Sequence, residues 1–155
     1  MKNLDIITLV NSGVINITAL TLDSANSYKV IKFRNAVRKA LANIEDTEKS
    51  ILSDLGISDP QEVESRAKEL SEKDRTPEET KEFEELTSKI RKFNETRMEM
   101  LKEEVTLDGV KAMPYEQWHL LRKENMPKED GKQNPINNFV EDLLMGVLWK
   151  APEEE

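Results

Sequence analysis

His119 is the single histidine of the chain, and histidine is the side chain best suited to general-base or zinc chemistry near neutral pH. A histidine base needs a substrate pocket, and a zinc site needs several nitrogen, sulfur or carboxylate ligands. Glu116 lies one turn earlier if a helix starts at Pro114, and no further ligand accompanies the pair. The missing partners make His119 a structural or exposed residue. A second group of residues is basic. Lys29, Lys32, Arg34, Arg38 and Lys39 crowd residues 29–39, and no acid interrupts them. Cations at that density could grip phosphate. They scatter around a helix, however, without an aromatic platform for single strands. A solvated helix face is the plainer reading, and an acidic groove on a partner protein is a third. Glu78, Glu79, Glu82, Glu84 and Glu85 offer an acidic counterweight elsewhere.

The remaining chemistry is thin. No Asp-x-Asp-x-Asp-Gly calcium loop occurs, and no Glu-x-x-His pair recurs as a di-iron bundle requires. Five unclustered glycines supply no phosphate-cradling loop. The expectation is therefore a non-enzyme without cofactor or metal. Met98, Met100, Met113, Phe93, Trp118 and Trp149 are explained first by helix packing. An exposed subset, with Trp118 and Trp149 as candidates, could form a partner-binding patch, since Trp and Met favour interface centres.

The elements that would carry these residues are mostly helices. Val30, Phe33, Val37, Ala40, Ile44, Ile51 and Leu55 recur at three- and four-residue steps between Ser27 and Leu55, the period of one helix face. Phe83, Leu86, Ile90 and Phe93 do the same between Pro77 and Val105, and Met98, Leu101 and Val105 continue the stripe. Each stretch would make a helix roughly 43 Å long at 1.5 Å per residue. Two equal stripes predict a long, coiled-coil-like antiparallel hairpin, with Phe83, Leu86, Ile90 and Phe93 as its internal seam. Asp23 or Ser24 caps the first helix and Gly56 stops it. Asp59-Pro60 starts a short tip helix carrying Val63, Ala67 and Leu70. Thr76-Pro77-Glu78-Glu79 is a capping box for the second long helix.

Residues 4–22 are apolar and β-branched, which favours strands by propensity. Their spacing also fits two short helical turns split at Asn11-Ser12-Gly13, and this reading is preferred, with a two-stranded alternative. Asp108-Gly109 between short β-prone runs predicts a β-hairpin over 105–111. Pro114 opens a helix through Tyr115, Trp118 and Leu121, residues 126–135 form a loop, and Phe139 to Trp149 returns to helical spacing. The segments are an apolar start (1–22), a long helix (23–56), a tip (57–76), a second long helix (77–105), a base (106–150) and an acidic tail (151–155). Together they form one elongated, mainly α domain.

Composition narrows the class. Charged residues reach 35% against 5% aromatic, which suits narrow apolar seams between helices better than a layered α/β core. A net charge of −8 weighs against non-specific nucleic-acid binding. The chain has no cysteine, hence no disulfide or thiolate zinc site, which points to an intracellular setting. The apolar start is broken by Asp5, Asn11, Ser12 and Asn16, so it resembles neither a signal peptide nor a membrane span.

The layout is similar to a family of small phage and prophage proteins of unknown function. The likeness rests on the apolar start, the helix reading Ser27-Tyr28-Lys29-Val30-Ile31-Lys32, Thr106-Leu107-Asp108-Gly109-Val110, Pro114-Tyr115-Glu116-Gln117-Trp118, and Leu143-Leu144-x-Gly146-Val147-Leu148-Trp149. The resemblance implies a setting, not a mechanism. It points to a virion-assembly or accessory protein in the cytoplasm of an infected cell, with a protein partner or a second copy. The same chain could instead be a nucleic-acid-binding accessory protein acting through residues 29–39.

Overall fold

The computed structural model describes residues 1–153. The protein is mainly helical: α1 (Asn3–Ser12), a 3-10 turn (Val14–Asn16), α2 (Ser24–Asp54), α3 (Pro60–Ser71), α4 (Pro77–Lys102), α5 (Tyr115–Asn125) and α6 (Asn138–Leu144). The described residues contain no strand longer than an isolated bridge. Contacts divide the chain into two compact units, residues 1–42 with those from 104 onward, and residues 43–103. The boundary falls inside α2.

The first unit is built on the apolar stripe of α2. Val30, Phe33 and Val37 are fully buried and Ala40 nearly so. Of residues 4–22, the part up to Asn16 takes the helical alternative, as α1 and the 3-10 turn, while residues 17–22 are irregular. Gly13, at φ 82°, ends α1 in the left-handed conformation and starts the 3-10 turn. Ile6, Leu9 and Val14 are thereby buried, and α1 packs on α6. Asp23 accepts from the N–H of Asn26 at 2.9 Å, satisfying an orphan donor at the start of α2.

The expected β-hairpin over 105–111 does not form. Asp108-Gly109 does turn, with Gly109 at φ 75° and the Val110 N–H reaching the Leu107 carbonyl at 3.4 Å. The flanks pair elsewhere. The Val105 N–H donates to the Met1 carbonyl at 2.8 Å, and the Met113 N–H to the Leu148 carbonyl at 2.7 Å. Distant segments satisfy the backbone groups that a hairpin would have paired locally. The closing helix is also shorter than its apolar spacing suggests. It stops at Leu144, and Gly146, at φ 79°, turns the chain so that Leu148 and Trp149 come back into the core. Of the acidic tail, Glu154 and Glu155 lie outside the described residues.

The second unit holds the C-terminal end of α2, then α3 and α4. Gly56, at φ 68°, ends α2, with the Ile57 N–H bonded to the Leu52 carbonyl at 2.9 Å and the Gly56 N–H to the Ser53 carbonyl at 3.0 Å. Asp59 caps α3 ahead of Pro60, and Thr76 and Glu79 close a reciprocal box at the start of α4. The short helix is more than a tip. It packs along α4, where the Arg66 guanidinium meets both carboxylate oxygens of Glu82, at 2.9 and 3.1 Å. Farther along α4, Arg97 pairs with Glu48 of α2 at 2.7 Å. In this unit α4 is therefore packed by α3 over one half, and the Arg97–Glu48 pair ties its other half to the end of α2. So few helices do not close over the seam: Phe83, Leu86, Ile90 and Phe93 are all half-buried. Full or nearly full burial goes to Ile44, Ile57, Leu70, Met100 and Leu101.

Candidate interaction surface

The face of α2 opposite the buried stripe of the first unit is open. Tyr28, Ile31, Lys32, Asn35, Arg38 and Lys39 are all exposed, and 3.6 residues per turn place them on the side away from Val30, Phe33 and Val37. No acid occurs from Ser24 to Ile44. Among the described residues none of Lys29, Lys32, Arg34, Arg38 or Lys39 takes part in an ion pair.

The five cations do not play one role. Lys29 is half-buried and its Nζ donates to the Ala112 carbonyl at 3.0 Å, which ties α2 to the segment before α5. Arg34 lies at the edge of the stripe, half-buried, with an Nε that has no hydrogen-bond partner. Lys32, Arg38 and Lys39 are the exposed ones. The Lys32 ammonium sits 5.6 Å from the centre of the Tyr28 ring, within cation–π range. An exposed aromatic therefore does accompany the cations. Its sequence signal is its helical offset: Tyr28 falls four residues before Lys32 and off the apolar stripe.

Trp118 and Trp149 lie inside the first unit, not on its surface. Trp118 is fully buried and Trp149 is 7% exposed. Their rings stack at 5.8 Å with planes 10° apart. Glu141 organises them. Its carboxylate accepts from Trp118 Nε1 at 2.9 Å and from Arg122 at 2.8 Å, while its backbone carbonyl accepts from Trp149 Nε1 at 2.9 Å. Both indole N–H groups are satisfied, as buried tryptophans require. His119 is exposed next to them, its ring 6.2 Å from that of Tyr115. Glu116 is exposed as well.

A second polar cluster, not apparent in the sequence, fastens the segment before α2 to α5. The Glu124 carboxylate accepts from the Thr18 hydroxyl and from the N–H groups of Leu20 and Thr21, at 3.0 and 2.6 Å. Desolvation pushes this carboxyl up, but hydrogen bonds from Thr18, Thr21 and the Leu20 backbone outweigh it and bring the group down to about 2. Asn125 adds bonds to the Thr18 N–H and carbonyl at 2.9 and 2.8 Å. These groups are occupied with one another, which marks the cluster as a clasp.

Among the described residues no three His, Asp or Glu side chains gather to hold a metal ion, and no helix is long and apolar enough to cross a membrane. In the second unit an open depression of about 760 Å³ is lined by α4 residues, among them Asn94, Met98 and Lys102. Comparison with known proteins finds no matching family model, curated protein or solved structure.

Proposed function

We propose that this protein is a non-enzymatic interaction and assembly protein of a phage or prophage, working in the host cytoplasm or within the virion. The observation that carries the interaction reading is the open face of α2. It combines Tyr28, Ile31, Lys32, Arg38 and Lys39 on one exposed, acid-free helix surface. Tyr28 and Arg38 are of the residue types that anchor interfaces, and Lys32 and Lys39 supply charge of the kind found at an interface rim. Stable helices presenting fixed side chains need no pocket to do this. The phage setting rests on the resemblance of the apolar start, the α2 reading and the closing segment. The test is to introduce K32Q/R38Q/K39Q into the gene in its phage or prophage and count particles. A lower particle yield with the variant accumulating normally is expected. An undiminished yield overturns the reading.

The acid-free run also favours a second reading, a nucleic-acid-binding accessory protein using residues 29–39. Binding of a duplex oligonucleotide that weakens steeply with salt supports it, and no binding at low salt removes it.

A further inference from the structure

We propose that copies of this chain associate head to tail, the open face of α2 in one copy docking on the acidic start of α4 in the next. The inference rests on the interaction reading above and names the partner of that face. Lys32 and Lys39 lie seven residues apart on α2, two turns along nearly the same line, about 10 Å from one another at 1.5 Å per residue. Arg38 flanks them. The start of α4 repeats this spacing in the opposite charge: Glu78 and Glu85 are seven apart, and Glu84 flanks them. Both trios are exposed, and neither takes part in an ion pair among the described residues. The other carboxylates of that turn are engaged, Glu79 with Lys73 and Glu82 with Arg66. Lys81 is the one cation among residues 78–85.

A second copy fits the face better than a long polyanion does. The chain carries −8 overall, so a polyanion and a second copy are both repelled at long range. What singles out the copy is its trio of carboxylates at the same spacing as the cations, which a uniform phosphate backbone lacks. Tyr28 and Ile31 add apolar area beside the cations. Because the two surfaces differ, the contact is heterologous. A pair formed this way retains one unused surface of each sign, and association continues into a ring or an open filament. Exposed ion pairs are individually weak, so the association shows at high protein concentration and low salt.

The test is sedimentation velocity of the full chain over a concentration series, at about 0.02 M and again at about 0.5 M salt. Salt-sensitive growth beyond a dimer is expected. K32Q/R38Q/K39Q and E78Q/E84Q/E85Q are each expected to stay monomeric with unchanged far-ultraviolet circular dichroism. Mixed, they keep one usable contact and stop at a one-to-one complex. A wild-type chain that stays monomeric at low salt overturns the proposal, as does association that neither variant alters. A monomer that binds poly-glutamate or a duplex oligonucleotide in a salt-sensitive way also overturns it, and assigns the face to another partner. A loss of particle yield in K32Q/R38Q/K39Q alongside a monomeric wild-type chain would sink this inference and leave the interaction reading standing.

Discussion

Phe33→Ala separates a closed core from an open seam when compared with Phe93→Ala. Phe33 is fully buried on α2 in the first unit, whereas Phe93 is half-buried on α4 in the second. Truncating a buried phenylalanine costs roughly 3–5 kcal/mol, because transfer energy is lost and a cavity is left. Full burial puts Phe33→Ala at about 4 kcal/mol. Phe93 has less area to lose and solvent to fill its place, so about 1–2 kcal/mol is expected there. With an m-value of about 2 kcal/mol/M in urea, the midpoints should fall by about 2 M and by less than about 1 M. The assay is urea unfolding followed by two signals. Both tryptophans, Trp118 and Trp149, belong to the first unit, so fluorescence reports on that unit while far-ultraviolet circular dichroism follows all helices. Phe33→Ala should move the fluorescence transition fully. A fluorescence shift below about 0.5 M for Phe33→Ala, or equal shifts for the two variants, would refute the assignment of core and seam.

Two further outcomes concern local devices. Glu124→Gln removes a carboxyl whose value in the fold, about 2, lies below its ordinary 4.5. Such a group stabilises above the unfolded value and loses its effect as pH falls through the folded one. The variant should melt lower than wild type at pH 7 and match it near pH 2, and a difference independent of pH would count against the clasp. Thr76→Ala opens the capping box at the start of α4 and should cost about 1 kcal/mol, visible as faster amide exchange over the first turn of α4. Unchanged exchange there would show that the box is not formed in solution.

Local signals were the legible part of the fold. Helix starts at Asp23, Asp59 and Thr76, the stop at Gly56 and the stripe from Val30 to Ala40 all depend on residues within a few positions of each other. What was hidden depended on distant partners. Asp108-Gly109 has the chemistry of a hairpin turn, yet Met1 and Leu148 claim the flanking N–H groups, and no window around residues 105–111 contains either. Trp149 reads as a continuation of a helix face until Gly146 turns the chain and stacks it on Trp118. The seam on α4 was visible as a stripe, but a stripe does not say how much of it a neighbour covers. For the α2 face, the basic run was plain. Tyr28 and Ile31 became part of it once the buried side of the helix was fixed.

The segregation of charge on α2 also has a consequence at the bench. The pI near 4.9 would send this protein straight through a cation exchanger at neutral pH. Resins, however, sense the patch that faces them and not the sum over the molecule. A helix face bearing Lys32, Arg38 and Lys39 with no acid between residues 24 and 44 gives such a resin a place to hold. The protein should therefore bind an anion exchanger firmly and be delayed, not retained, on a cation exchanger at low ionic strength, because the net charge of −8 opposes the pull of the α2 face.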